Sequence, residues 1–363
     1  MSEGRIHLVV LFGGQSAEHE VSCVTAAHVL RAIDPGRSRV TPIGISTDGH
    51  WALADAAQRA LADGPAALPD RLDPHGSSIS PSDALGGVDT GGDHGVDEVT
   101  VVLPLLHGPM GEDGTVQGLL ELADVAYVGS GVLGSAVAMD KAMAKQVLAA
   151  NGIPQARYRA FAEHERTPGL PSELADELGL PCFVKPANMG SSVGVSKART
   201  VEELRDAIEY ALTYDEWVLV EEAVVGREIE VAVLGGVAPE ASGPGEIVPG
   251  AEFYDYEDKY VTDGAQLLVP APLRPDQTAT VRDLAVRVFR ALRADGLGRV
   301  DFFLEEDGRG FLCNEINTMP GFTPISMYPK LWQAAGVSYP ELIDRLVGLA
   351  LERHRRRRRN TKH

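Results

Sequence analysis

Glu315 and Asn317 stand two residues apart in the run Gly310–Asn317, so on a β-strand both side chains leave the same face. A turn at Asp307-Gly308 would fold Arg299–Glu305 back against that run and bring Asp301 close to them. The face Asp301 takes depends on the loop. A three-residue loop, Asp307-Gly308-Arg309, pairs 301 with 315, whereas a two-residue loop turns Asp301 away. The three-residue form would draw its positive φ from Gly308. Three oxygen donors without histidine or cysteine suit a hard cation such as Mg²⁺ better than Zn²⁺. A polar sheet face open to water would present the same three residues.

A second group of residues suits anions. Phe183-Val184-Lys185 ends an apolar run and enters Pro186–Gly194, which holds Gly190-Ser191-Ser192-Val193-Gly194. Glycine and serine let backbone N–H groups approach phosphate oxygens, and the lysine adds a full charge. The segment is neither GxxxxGK[ST] nor GxGxxG, and a plain flexible turn would read the same way. Trp217–Glu222 is an apolar run ending in two acids, either an edge strand able to hold a purine by its backbone or a core strand reaching solvent. Glu252–Tyr260 carries four of the chain's 21 aromatic residues beside Lys259, as a lid over a reactive phosphate or as a packing loop. The chain has only seven lysines against 26 arginines, which makes Lys141, Lys185 and Lys259 conspicuous where they stand.

The elements that must position these groups follow from periodicity. Arg5–Phe12, Val40–Ile45 and Val99–Leu103 read as strands alternating with helices, the first after the turn Gly13–Ser16 and the second capped by Asp113. That alternation implies a doubly wound parallel sheet in residues 1–138. Within it, 73–97 is rich in Gly, Ser, Asp and Pro and is expected to be an exposed, mobile insertion. A helix over Ser135–Ala150 stops at Asn151-Gly152 with Pro154 beyond. Residues 139–225 then form a small middle domain, with strands Cys182–Lys185 and Trp217–Glu221 and helix Val201–Leu212. Residues 226–352 form a third domain, with strand Ile229–Leu234, helix Asp276–Arg293 and the hairpin. Residues 353–363 are a basic tail expected to be disordered.

At 363 residues the chain has room for two or three domains of roughly 100–200 residues. With 44% hydrophobic and 23% charged residues it has the composition of a folded soluble protein. No apolar run approaches the ~18 residues of a membrane span, and the start leads straight into a strand, so no signal peptide is expected. Cys23, Cys182 and Cys313 form no pair motif, which fits a reducing cytoplasm. Net charge is −19, yet residues 353–363 hold six arginines and a lysine, leaving 26 bases against 52 acids in the rest. Such a body disfavours nucleic-acid binding by the fold itself, and no membrane contact is expected.

Taken in order, several stretches resemble the ATP-grasp superfamily and, within it, the D-alanine–D-alanine ligase family. They are Gly13-Gly14-Gln15-Ser16-Ala17-Glu18-His19-Glu20-Val21-Ser22, His107–Gly118, Met139-Asp140-Lys141, Val184-Lys185-Pro186, Gly190–Gly194, Tyr254-Asp255-Tyr256 with Lys259-Tyr260, and Asn314–Tyr328. The resemblance implies an α/β architecture: an ATP-grasp fold, α+β in its C-terminal part, behind a doubly wound N-terminal domain. It further implies ATP between the middle and C-terminal sheets, two Mg²⁺ (or Mn²⁺) ions, a cytoplasmic homodimer, and formation of a dipeptide from D-alanine for peptidoglycan precursors. The Arg-rich tail and the length of 73–97 depart from the family pattern.

The resemblance also implies roles. Lys141 and Lys185 would neutralise the α- and β-phosphates and Lys259 the transferred γ-phosphate, with Ser192 in the phosphate loop. Glu221, Glu222, Val224 and Glu228 match adenine- and ribose-binding positions, and Phe303 would pack on the purine. Asp301, Glu315 and Asn317 would hold the metal ions. Glu18 would take the first D-alanine's ammonium near Val21, with His107 at its carboxylate; Glu18, Ser191 and Tyr260 would form a hydrogen-bonded triad. Arg299, Ser326 and the Met327 backbone would receive the second carboxylate, and Arg299 with the Gly321 N–H would face the oxyanion. Tyr260 and Tyr254-Asp255-Tyr256 favour a dipeptide former over a D-alanine–D-lactate ligase. Another carboxylate–amine ligase with a different acceptor, and a catalytically retired ATP-grasp binding protein, are the remaining alternatives; the intact lysines and acids oppose the last.

Overall fold

The structure, a computed structural model, describes residues 6–85, 98–249 and 266–357. Three sheets carry the described residues. The first contains β1 (Ile6–Gly13), β2 (Ser38–Ile45), β3 (Trp51–Leu53), β4 (Ser77–Ser78), β5 (Val99–Pro104) and β6 (Ala126–Tyr127), in the order β4-β3-β2-β1-β5-β6. Strands β2-β1-β5-β6 run parallel, as the alternation of strands and helices predicts, and β3 and β4 extend the sheet antiparallel. Fully buried strands need apolar side chains on both faces, and Leu8–Phe12 are 0–1% exposed.

The second sheet contains β7 (Tyr158–Ala162), β8 (Cys182–Pro186), β9 (Ser196–Ala198) and β10 (Trp217–Glu222), ordered β7-β10-β8-β9. The third contains β11 (Arg227–Gly235), β12 (Glu240–Val248), β13 (Gln266–Leu268), β14 (Gly296–Glu305) and β15 (Gly310–Asn317), ordered β13-β12-β11-β14-β15. One face of the third sheet is covered by the helix Pro275–Ala291, whose Val281, Leu284, Val288 and Phe289 join Ile229, Val231, Val300 and Phe302 in one core.

Three expectations are corrected here. The helix expected over 135–150 is two helices, Val132–Met139 and Lys141–Ala150, because Asp140 leaves helical geometry and its carboxylate accepts the Met143 N–H (2.9 Å) as an N-cap. Residues 73–85 are not a loose insertion: β4 pairs with β3, and Pro81–Leu85 forms a helix that buries Ala84 and Leu85. Residues 86–97 lie outside the described residues. The basic tail is helical as far as Arg357, within Tyr339–Arg357, since Arg353 is 6% exposed and donates to the Tyr127 carbonyl (2.9 Å) while stacking 3.9 Å from that ring's centroid. Of the two readings left open for Trp217–Glu222, the structure takes the core strand: β10 lies between β7 and β8, so it is not an edge. Both sides of its backbone serve ladders, and a purine could be met only past its end, from Ala223 onward.

The helices Met327–Ala334 and Tyr339–Arg357 bury Tyr328, Trp332, Leu342 and Leu346 in the same core as Leu8, Phe12 and Leu103 of the first sheet. The C-terminal end of the chain thereby clamps the first sheet to the third.

Candidate active site

Asp301 does pair directly with Glu315, and Arg299 with Asn317, but by a route neither loop length anticipates. Glu305 pairs with Gly310, which leaves four residues in the turn and would set 301 opposite 314. A bulge then places Asn314 outside the ladder, and the register moves by one. Bulges bend a strand and re-aim its side chains, commonly beside active sites. Here the Asn314 Oδ1 accepts from Lys185 Nζ (3.5 Å) on the second sheet. The positive φ falls at Gly310 (76°), the first strand residue after the turn, and not at Gly308.

On this face Arg299 is the one cation among several acids of the described residues. Its Nε and Nη2 donate to the two carboxylate oxygens of Asp301 at 2.8 and 2.7 Å, and Nε also lies 3.1 Å from Glu230 Oε2. Asn317 Nδ2 donates to Asp301 Oδ2 (3.0 Å). Burial works against the guanidinium's charge, but Asp301 and Glu230 overcome it and hold its pKa well above the ordinary value. Phe303, two residues on from Asp301, shares the face, and Glu228 pairs with it from β11.

Facing this, the second sheet gathers lysines. Lys185 lies 2.5 Å from Glu221, and Lys145, 3% exposed, pairs with the same carboxylate while lying 5.3 Å from the Tyr158 ring centroid. Burial opposes ionisation of Glu221, yet Lys145 and Lys185 together bring it down to about 2. Burial opposes the Lys185 charge too, and Glu221 more than offsets it, so that pKa is raised. Lys141 begins its helix and donates to the Met189 carbonyl (2.5 Å); there burial prevails over the pull of Glu315, and its pKa is lowered. Ser191 and Ser192 adopt successive left-handed conformations, φ 49° and 59°. Two such residues in a row are costly for non-glycine side chains, and here they are the central pair of a tight turn closed by the Val193 N–H donating to the Gly190 carbonyl (3.0 Å). The Glu222 carboxylate is bound by Arg157 (2.7 and 2.8 Å) and Arg309 (2.5 Å), so it does not join this group. Val224 follows in the half-buried crossing to β11.

The first sheet supplies the third wall. Glu18 sits just before the helix His19–Ala32, which also carries the half-buried Val21. A Cβ on Gly190 would meet Glu18 Oε2 at 3.4 Å and Glu112 Oε1 at 3.8 Å, so both carboxylates converge on the phosphate loop. Glu112 accepts the Gly108 N–H (2.9 Å), but burial and the charge of Glu18 push it up to about 8. His107 is 6% exposed, and its Nδ1 donates to the Met319 carbonyl (3.0 Å). Its buried Nε2 has no hydrogen-bond partner among the described residues. Ser326 caps the helix Met327–Ala334; its Oγ accepts the Thr323 N–H (3.2 Å) and lies 3.2 Å from where a Gly321 Cβ would be. The N–H groups of that first turn, including Met327, suit a carboxylate.

The structure thus brings Glu18, Lys141, Lys185, Ser191, Ser192, Glu221, Arg299, Asp301, Glu315 and Asn317 onto three facing walls. Lys259 and Tyr260 lie outside the described residues. Lys145, Glu112, Glu230 and Asn314 carry no role in the sequence reading. Lys145 had a signal, since it stands one helical turn after Lys141 in a lysine-poor chain. Asn314 had none, because the bulge that exposes it is invisible in sequence.

The donor chemistry fits the groups that ATP-grasp enzymes use. Asp301, Glu315 and Asn317 are hard oxygen donors from two adjacent strands, and the lysines suit phosphates.

A family model described as D-ala D-ala ligase C-terminus matches residues 147–348, and one described as D-ala D-ala ligase N-terminus matches residues 7–130. The chain is 47% identical to a D-alanine–D-alanine ligase A of Chromobacterium violaceum over 97% of each chain. It is also 47% identical to a D-alanine–D-alanine ligase of Geobacillus kaustophilus, covering 95% of this chain and 94% of that one. Among solved structures it resembles the D-alanine-D-alanine ligase of Coxiella burnetii (TM-score 0.80, 34% identity, 98% of this chain and 96% of that chain). It equally resembles the VanG D-Ala:D-Ser ligase of Enterococcus faecalis (TM-score 0.80, 33% identity, 95% and 99%).

Proposed function

The chain belongs to the D-alanine–D-alanine ligase family, and from that premise we propose how its residues divide the work of joining two D-alanine molecules at the expense of ATP. A carboxylate is a poor electrophile, so an oxygen of the first D-alanine's carboxylate attacks the γ-phosphorus of ATP and the bond to ADP breaks. The amine of the second D-alanine, having lost a proton, attacks the carbonyl carbon of the resulting acyl phosphate. A C–N bond forms, the C–O bond to phosphate breaks, and inorganic phosphate leaves. The protein's share is positioning and charge neutralisation.

The observation that carries this assignment is the convergence of three walls: lysines on the second sheet, acids with one arginine on the third, and Glu18 on the first. Lys141 and Lys185, with the loop of Ser191 and Ser192, hold the phosphates, and Lys259 follows the transferred one. Asp301, Glu315 and Asn317 hold two Mg²⁺ or Mn²⁺ ions, which when bound neutralise phosphate charge. Adenine and ribose lie around the end of β10, near Glu221, Val224 and Glu228, with Phe303 alongside. The Glu222 carboxylate takes no part there, since Arg157 and Arg309 engage it. Glu18 and the Nε2 of His107 receive the first D-alanine beside Val21, and Glu18, Ser191 and Tyr260 close over it. Arg299, Gly321, Ser326 and Met327 receive the second D-alanine's carboxylate and the oxyanion.

The names of the relatives support D-alanine as acceptor, and that of VanG makes D-serine a sharper competitor than D-lactate. No described helix is long and apolar enough to cross a membrane. We place the enzyme in the cytoplasm as a homodimer, which sedimentation at micromolar concentration tests. Manganese binding followed by electron paramagnetic resonance, with ATP present, should saturate at about two ions per chain and at fewer in Asp301→Asn; unchanged binding in that variant would remove Asp301 from the ligand set.

A further inference from the structure

Glu230 of β11, Asp301 of β14 and Glu315 of β15 stand directly opposite one another across three neighbouring strands. Adjacent strands lie about 4.8 Å apart, and like charges facing each other at that spacing destabilise a sheet. Arg299, two residues from Asp301 and on the same face, compensates this row. It gives a two-bond fork to Asp301 and reaches Glu230 at 3.1 Å. Glu230 is 4% exposed, so its carboxylate is an anchor out of solvent.

Asp301 cannot serve two cations equally. Every lone pair it commits to a metal ion weakens its hold on Arg299, and the ion's charge repels the guanidinium. A second carboxylate outside the metal-ligand set can keep Arg299 paired and oriented. We infer that Glu230 is a positioning residue that holds the Arg299 guanidinium for the acceptor while Asp301 serves the metal. This rests on the reading of Arg299 and Asp301 given above. It also accounts for a buried acid in β11 that the sequence motifs leave without a task.

The test is a double-mutant cycle on the full chain with D-alanine, ATP and Mg²⁺. Glu230→Gln keeps the shape and removes the charge. It should cut kcat about 10- to 100-fold, the usual scale for losing an orienting partner, and raise KM for D-alanine. KM for ATP should stay within about twofold, because the lysine wall is untouched. Combined with Arg299→Lys, Glu230→Gln should add little further loss, since both act through one group. Glu230→Asp, which retains the charge on a shorter arm, should recover part of the rate, and it serves as the test if the glutamine variant fails to fold. Multiplicative losses in the double variant, or equal damage to ATP and D-alanine kinetics in either Glu230 variant, would overturn the inference. An Arg299→Lys enzyme with near-normal rate would instead overturn the underlying role of Arg299, a separately recognisable result.

Discussion

Two buried ion clusters face each other and differ in sign. On the second sheet two lysines share one carboxylate, Lys145 and Lys185 with Glu221. On the third, Arg299 lies among Glu230, Asp301 and Glu315. Burying either group carries a desolvation cost that its internal pairs only partly recover. A surplus of cations on one wall and of anions on the other is hard to explain as stabilisation and natural as preparation. The lysine wall is complementary to phosphates, and the acid wall to metal ions and to the guanidinium that meets an oxyanion.

The largest effect should come from stripping the acid wall of its cation. Arg299→Ala should lower turnover by about 10²–10³, the cost of one oxyanion donor, while KM for ATP changes little. A near-normal rate would refute the assignment. Lys185→Met should show the complementary pattern: a charge-assisted bond is worth roughly 1.5–3 kcal/mol, or about 10- to 100-fold in KM for ATP, with KM for D-alanine nearly unchanged. Were both variants to damage the same constant, the division of labour between the walls would fall.

Lys145 probes the lysine wall as structure. Lys145→Met leaves Glu221 with Lys185 alone and should cost about 2 kcal/mol in urea unfolding. Because Glu221 is held at about 2, below its ordinary 4.5, its contribution is present above pH 4.5 and lost as pH falls toward 2. Removing Lys145 weakens that depression, so acid unfolding followed by circular dichroism should begin at higher pH. An unmoved acid transition would show that Lys185 alone suffices. The smallest effect is at Glu112, raised to about 8. The folded state keeps a proton that the unfolded chain releases near pH 4.5, so stability from this group is full below that pH and declines toward pH 8. Glu112→Gln mimics the protonated acid, and its melting temperature relative to wild type should climb between pH 5 and pH 8. A constant offset would mean Glu112 titrates normally.

Sequence periodicity delivers the parallel first sheet, the long helix after Pro275 and the strands of the hairpin, because each buries a clear apolar face. It fails where tertiary contacts outweigh composition. Arg353 looks like tail filler until Tyr127 gives its guanidinium a ring and a carbonyl. Ser77–Leu85 looks like linker until β3 offers a ladder. The oxygen triad is visible from spacing, but its register is not. The four-residue turn and the bulge at Asn314 each shift the pairing by one and together restore it. Lys145 and Glu230 escape notice because their tasks lie in holding other charged groups.

The most direct measurement of the central claim is ATP-dependent phosphate release with D-alanine alone and with excess D-serine or D-lactate, products being identified by mass at neutral pH. The account predicts D-alanyl-D-alanine as the main product in every mixture and no phosphate release without D-alanine. A dominant mixed dipeptide or depsipeptide, or phosphate release indifferent to D-alanine, would contradict it.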